Sequence, residues 1–413
     1  MRIAIFSNNY LPRVSGVAVA VDFLDRALRE AGHETFVVAP SYGSDEPEAT
    51  PNVHRVPSIP LPKMAEGHAI AMPALDSKRI KGLVEGFRPH VIHSHHPFLL
   101  GDAAADAAEE LDIPLAYTFH TLYEFFTHYV KLDYKVVQRR VQEFVRGYTD
   151  RCDLVIAPTE PIRAYLQELG VGADTATVPT GIDLQRFEAV RDGEVAALRR
   201  KLGLRDFEIV LLNVGRISAE KNVALCLETL GELVRRGRDA ALLLFGVGPQ
   251  KDELLAQAEK KGLGDRVVYG GFLDQRRLPA AYRLGSVFLF PSTSDTQGIV
   301  LYEAWASGLP ILAVESMAAR AMLEPGKNGL LAGAAPEEFA DAVERLCADP
   351  ALARTPFPHR DYSLTAVGET YTLLYEALAE RGRRTARDKR QPFKHLLEEL
   401  VRVSGAEGDA PAP

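Results

Sequence analysis

Cysteine is scarce in this chain. Cys152, Cys226 and Cys347 are the three among 413 residues, far apart and without a CxxC pair. That pattern fits a reducing compartment and argues against a structural zinc site. Long apolar runs are missing too: none approaches the roughly 20 residues that a membrane-spanning helix needs. The start, Met1-Arg2-Ile3-Ala4-Ile5-Phe6, lacks the long apolar region and small-residue cleavage site of a signal peptide, so it reads as a buried first strand. Positive charge is not in excess. The net charge of -8 argues against general affinity for nucleic acid. There is no HExxH, no Cys-His frame and no acidic DxD-type cluster at a strand end, which leaves a metal without an evident holder. A full GxGxxG is absent, which counts against a dinucleotide oxidoreductase, and no short fixed repeat supports a solenoid.

What is present suits a globular protein of two domains. Hydrophobic residues make up 46% and charged residues 25%, and the length exceeds one ordinary core. One series of short apolar runs opens with Arg2–Phe6, followed by a helix from about Val17 to Ala31. It continues through Thr35–Ala39, Val91–His93, Leu115–Thr118, Leu154–Ala157 and Ala176–Val178. A second series runs from Glu208–Leu212 through Ala241–Phe245, Val267–Tyr269, Val287–Phe290 and Pro310–Ala313 to Leu330–Leu331. Such runs, separated by helical patterns, are strands buried on both faces, so the fold class is α/β with mainly parallel sheets. The charged stretch from Pro179 to about Arg205, with its Thr180-Gly181-Ile182-Asp183 turn, reads as the linker. The expected divisions are residues 1–185, residues 186–370, a helical segment over 371–404 and a disordered tail over 405–413.

Four stretches carry chemistry. Pro291 to Ala304 leaves a strand, passes Gly298 and enters a helix through Ile299 and Val300. Free N–H groups at such a helix start attract phosphate, and Asp295 and Glu303 bracket the loop as acceptors for sugar hydroxyls. A helix cap and a solvated helix residue are the plainer alternatives for these two. Asn213 to Asn222 likewise follows a strand, and its Arg216 and Lys221 can reach an anion at the strand's carboxyl end. Pro12 to Val17 joins the first strand to the first helix, and Gly16 there lets the backbone come close to a diphosphate, with a plain turn as the equal alternative. His93-Ser94-His95-His96 and the stretch from Tyr117 to Tyr129, with His120, Tyr123, Phe126 and His128, suggest a cleft of imidazoles and sugar-stacking rings, some of them core.

These residues together resemble the retaining glycosyltransferases of family four, with two facing Rossmann-like domains (the GT-B fold), and the resemblance runs along nearly the whole chain. It rests on Gly215-Arg216 with Glu220-Lys221-Asn222, on Gly246-Val247-Gly248-Pro249, on Gly271-Phe272-Leu273 and on the carboxylate-x7-Glu pair Asp295 and Glu303. Asp295 stands where many members have Glu. Thr296-Gln297-Gly298 and the stretches Phe119–Tyr123 and Thr127–Val130 resemble bacterial diacylglycerol glucosyltransferases. The resemblance implies a hexose, glucose foremost, carried from a UDP-sugar to a glycerolipid such as diacylglycerol. No metal or other cofactor is implied.

By position, Glu303 takes the ribose hydroxyls, and Arg216 and Lys221 the diphosphate, to which Gly16 and Val17 bring backbone amides. Phe272 and Leu273 meet the base. His120 faces the hexose, with Asp295, Gly298, Ile299 and Val300 opposite. His120, Arg216, Lys221 and Asp295 form the catalytic set, and Tyr123, Phe126, His128 and Tyr129 the acceptor side. A C-terminal helix crosses back to the first domain. The alternatives are a soluble acceptor, a GDP-mannose donor, or a catalytically dead nucleotide-sugar-binding module.

A helix expected over Lys131–Arg151 is basic and amphipathic, its six Lys and Arg outnumbering Asp133, Glu143 and Asp150 by three. It suits either an anionic membrane surface or a core-facing stripe. With the basic C-terminal segment and the resemblance, the expectation is a cytoplasmic protein held peripherally on the inner face of the plasma membrane.

Overall fold

The computed structural model describes residues 1–43, 50–60, 71–73, 77–123, 134–353, 355–358 and 361–383. Among them, two parallel sheets are formed. The first takes strands β1 (Arg2–Phe6), β2 (Glu34–Pro40) and β3 (Val53–Val56), while β4 (Ser58–Pro60) and β5 (Ala71–Pro73) pair separately and antiparallel. It then takes β6 (Val91–Ser94), β7 (Leu115–Thr118), β8 (Leu154–Ala157) and β9 (Asp174–Thr177), in the order β3-β2-β1-β6-β7-β8-β9. The second contains β10 (Ile209–Val214), β11 (Ala240–Phe245), β12 (Val267–Gly271), β13 (Val287–Phe290), β14 (Ile311–Val314) and β15 (Gly329–Ala332), in the order β12-β11-β10-β13-β14-β15. Every residue of β6, β7, β8, β11, β13 and β14 is buried, which is why their sequences are unbroken apolar runs rather than alternating ones.

Both sheets reverse their winding beside the first strand, between β1 and β6 and between β10 and β13. Ligands of open α/β sheets bind at the carboxyl ends of the strands flanking such a reversal. In this chain those ends carry Gly16, His95, Arg216 and Asp295.

The helix Leu364–Arg381 returns to the first domain and packs on the helix Gly16–Glu30. Val367, Tyr371, Leu374, Tyr375 and Leu378 share one core with Val21, Phe23, Leu24, Ala27 and Leu28. Arg381 anchors its far end on buried Asp174 at 2.5 Å. The two chain crossings between domains run side by side, with the Ile182 amide donating to the Tyr362 carbonyl at 3.0 Å.

The fold differs from the sequence reading in places. The crossover helix begins at Leu364 rather than Tyr371, because Ser363 caps it by accepting from the Ala366 amide. Residues 179–205 are not a plain linker: Leu184–Glu188 and Asp192–Leu202 are helices, and Ile182, Leu198 and Leu204 belong to a core of the second domain. The basic helix spans Tyr134–Thr149, and Lys131 lies outside the described residues, as do Arg384 and everything after it. Its Val145 and Tyr148 are buried in a second core of the first domain, whereas Arg139, Arg140, Phe144 and Arg146 face outward. One helix therefore carries both a core stripe and a basic outer face.

Candidate active site

In the second domain the loops after β10 and β11 lie backbone against backbone. The Gly215 amide donates to the Phe245 carbonyl at 2.9 Å, and the Ile217 amide to Val247 at 3.1 Å. A Cβ on Gly246 would sit 1.8 Å from the Gly215 carbonyl oxygen, so only glycine allows this approach. The packing holds Arg216 outward, exposed at the carboxyl end of β10. A short turn over Ala219–Lys221 follows, and Lys221 Nζ lies 2.5 Å from Asp295 Oδ1. Ser294 stitches the same two segments together, its hydroxyl donating to the Glu220 carbonyl at 3.1 Å. Asp295 is thus no helix cap. Its Oδ2 is buried without a hydrogen-bond partner, which leaves Lys221 as its neutralising contact.

Gly298 precedes the helix Ile299–Ala306 in the left-handed region, at φ 67°, and turns the loop so that the first helical amides, at Ile299 and Val300, open toward the strand ends. One turn on, Glu303 is not solvated. It is 4% exposed and accepts from the buried Tyr282 hydroxyl at 2.7 Å. Burial pushes its carboxyl up to about 7, against the opposing pull of Arg186. Phe272 is 49% exposed beyond β12, beside half-buried Leu273.

In the first domain Ser15 caps the first helix, accepting from the Ala18 amide at 3.1 Å, and Gly16 has open space where a side chain would stand, with Val17 half-buried beside it. His120 follows β7, and its Nε2 lies 2.8 Å from Nδ1 of His95. Tyr123 belongs to an aromatic cluster, edge-on to Phe98 and Phe119. Phe126, His128 and Tyr129 lie outside the described residues. Among the described residues no three His, Cys, Asp or Glu side chains gather to hold a metal ion.

The two halves of the site are bolted together by Thr296 and Gln297. Thr296 donates its hydroxyl to the His120 carbonyl at 2.9 Å, and its own carbonyl accepts from Thr159 at 3.0 Å. The buried Gln297 amide makes a two-way clasp with the Thr180 backbone, giving to its carbonyl and accepting from its amide, each at 2.9 Å. Thr159, Thr180 and Tyr282 carry no role in the sequence reading; the partners of Thr159 and Thr180 lie 137 and 117 positions away, and nothing local marks Tyr282 as the partner of Glu303. Gln297→Leu strands both Thr180 groups and is expected to lower kcat/KM for the donor about tenfold, since an unmet buried polar group costs roughly 1–3 kcal/mol. Small-angle scattering should show a larger radius of gyration. An unchanged radius with unchanged kcat/KM would mean that the clasp does not hold the domains together.

Sequence and structure comparisons agree with this architecture. Residues 14–186 match the model described as Glycosyltransferase Family 4, and residues 194–357 that described as Glycosyl transferases group 1. An alpha-monoglucosyldiacylglycerol synthase of Acholeplasma laidlawii is 32% identical over 338 residues, covering 80% of this chain and 84% of the relative. A GDP-mannose-dependent alpha-mannosyltransferase of Mycolicibacterium smegmatis is 30% identical over 338 residues, with the same coverage of 80% and 84%. A sucrose-phosphate synthase structure from Thermosynechococcus elongatus superposes with a TM-score of 0.76 at 22% identity, covering 92% of this chain and 99% of that one. With two parallel-sheet domains clasped over one cleft and both halves matched, this chain belongs to glycosyltransferase family 4 and is a hexosyltransferase of the GT-B fold.

Proposed function

We propose that this enzyme transfers glucose from UDP-glucose to diacylglycerol with retention, without a metal, at the surface of an anionic membrane. The observation that carries the donor half is the Lys221–Asp295 pair, a cation and a carboxylate 2.5 Å apart beside the Ile299–Ala306 helix start. Arg216 and Lys221 hold the diphosphate and Glu303 the ribose. As the bond from the anomeric carbon to phosphate oxygen breaks, negative charge grows on the leaving diphosphate, and positioned cations and helix amides stabilise it. The acceptor hydroxyl bonds to the anomeric carbon on the face being vacated, and its proton passes to the leaving phosphate. Two cations thereby supply the charge that a divalent ion supplies elsewhere.

The lipid half rests on the similarity to the Acholeplasma synthase and on the outer face of Tyr134–Thr149, where Phe144 is 47% exposed among Arg139, Arg140 and Arg146. Glu143 sits within 3.1 Å of Arg139 and 3.0 Å of Arg140, so their charge is partly balanced there.

The test is transfer from labelled UDP-glucose and GDP-mannose to vesicles holding diacylglycerol and anionic lipid, with and without EDTA. Glucosylated lipid is expected, undiminished by EDTA and lost at high salt. Phe144→Asp with Arg139→Glu should release the protein from vesicles yet spare slow donor hydrolysis. Activity abolished by EDTA and restored by magnesium would sink the metal-free reading. The similarity to the mannosyltransferase favours a second reading, and transfer from GDP-mannose alone would put it in place of the first.

A further inference from the structure

His95 has no part in the chemistry above, yet it is built into the site. It is 2% exposed and lies between two other imidazoles. Its ring is 4.3 Å from that of His93 and 5.1 Å from that of His120, the latter tilted by 22°. His93 is tied on both sides, through Nδ1 to the Tyr375 hydroxyl at 2.6 Å and through Nε2 to the Thr118 hydroxyl at 2.8 Å. His95 is tied on one: Nδ1 meets His120 Nε2 at 2.8 Å, and its own Nε2 is buried with no hydrogen-bond partner.

One hydrogen bond between two neutral imidazoles links their tautomers, because only one of the facing nitrogens carries a proton. If His120 donated, His95 would have to keep its proton on Nε2, burying an N–H donor with nothing to accept it. Orphaned buried N–H groups are rarer in proteins than unfilled acceptors. The surroundings point the same way. The small cavity beside His95, about 10 Å³, is walled by apolar Ala20, Phe23, Leu24, Pro179 and Val367 together with Thr180 and Tyr371, neither of which hydrogen-bonds His95 Nε2, and such walls tolerate a bare ring lone pair better than an N–H. Both rings stay neutral, since burial holds His95 well below the usual histidine range and His120 down to about 3.

We propose that His95 is a positioning residue that donates from Nδ1 to His120 Nε2, so that His120 keeps its proton on Nδ1 and meets the donor hexose as a hydrogen-bond donor, not as a base. This rests on the reading that His120 faces the hexose. With Nε2 engaged, Nδ1 is the one ring nitrogen left for a ligand. The crossover helix contributes through Tyr375 and His93, against which His95 packs.

The experiment is long-range proton–nitrogen NMR on the full-length protein labelled with 15N-histidine, the His120 signals being identified by their loss in His120→Gln. The parent is expected to show His120 as the Nδ1–H tautomer, the minor form of free imidazole. In His95→Phe, which keeps the ring but not the donor, His120 should revert toward Nε2–H. Its kcat should then fall about ten- to a hundredfold, as when an orienting partner of a functional histidine is lost, with donor KM nearly unchanged. His95→Gln retains an N–H donor and should restore much of both signals. A parent His120 found as Nε2–H overturns the proposal whether or not any variant folds. Unchanged kcat in a folded His95→Phe overturns the positioning role. The expected tautomer in a protein that transfers no sugar supports the His95 contact and overturns only the assignment of the hexose to His120.

Discussion

Lys221→Ala is expected to remove nearly all transfer, lowering kcat by about a hundred- to a thousandfold, the usual loss when one group stabilising transition-state charge is deleted, roughly 3–4 kcal/mol. The ammonium is held at the strand ends by a turn whose backbone is stitched to Ser294, so its position is set before any substrate arrives. The change also has a structural side. Asp295 keeps one oxygen buried with no hydrogen bond and relies on Lys221 for the other. A carboxylate left alone there destabilises the loop. The two effects separate in a double variant. Asp295→Asn in the Lys221→Ala background should recover thermal stability and leave transfer as low as before. Near-normal turnover in Lys221→Ala, measured with donor at saturation, would remove this lysine from the site.

The second large effect is expected at Glu303. In the proposed role the carboxylate is ionised to accept two ribose hydroxyls, whereas burial holds its pKa near 7. Donor KM should therefore fall as pH rises through about 7, and donor binding near pH 6.5 should expel a proton, visible by calorimetry in buffers of different ionisation enthalpy. The same shift acts on the fold in the absence of donor. The native chain holds this proton more tightly than the unfolded chain, so it binds more protons between the two pKa values. Stability then falls as pH rises from about 4.5 to 7, by up to about 3 kcal/mol from this group. Glu303→Gln should raise donor KM ten- to a hundredfold, on the order of 1.5–3 kcal/mol for hydrogen bonds to a charged group, and should abolish the pH dependence of both KM and melting temperature over that range. A variant that keeps the parent's donor KM and its pH profile would show that Glu303 is a buried structural acid held by Tyr282.

Much of the fold was legible because buried parallel strands advertise themselves. Val91–Ser94 and Val287–Phe290 have no exposed residue, so their sequences could be read without knowing their neighbours. The edge strand Val53–Val56, Val-His-Arg-Val, is half-exposed and polar in its middle, and nothing in its pattern separates it from a loop. Asp192–Leu202 passed for linker because its charge belongs to a helix with a single buried residue, Leu198. The loops of the site were visible as strand-to-helix passages. What joins them was not. His120 meets Thr296 across 176 positions and Gln297 meets Thr180 across 117, and no local spacing encodes such contacts. Burial was equally hidden: a glutamate on a helix looks solvated until Tyr282 and the surrounding core close over it.

The return of Leu364–Arg381 to the first domain also sets an order of events during synthesis. Chains commonly fold from the amino end as they leave the ribosome. Here the first domain cannot finish that way. Val21, Phe23, Leu24, Ala27 and Leu28 on the first helix share a core with the first sheet, but the other part of that core comes from residues made some 340 positions later. Until those residues emerge, the nascent first domain presents a bare apolar stripe, while the second domain can complete its sheet as soon as Gly329–Ala332 is made. The domain translated first is thus the one sealed last, and through Tyr375, His93 and His95 that final docking step also reaches His120.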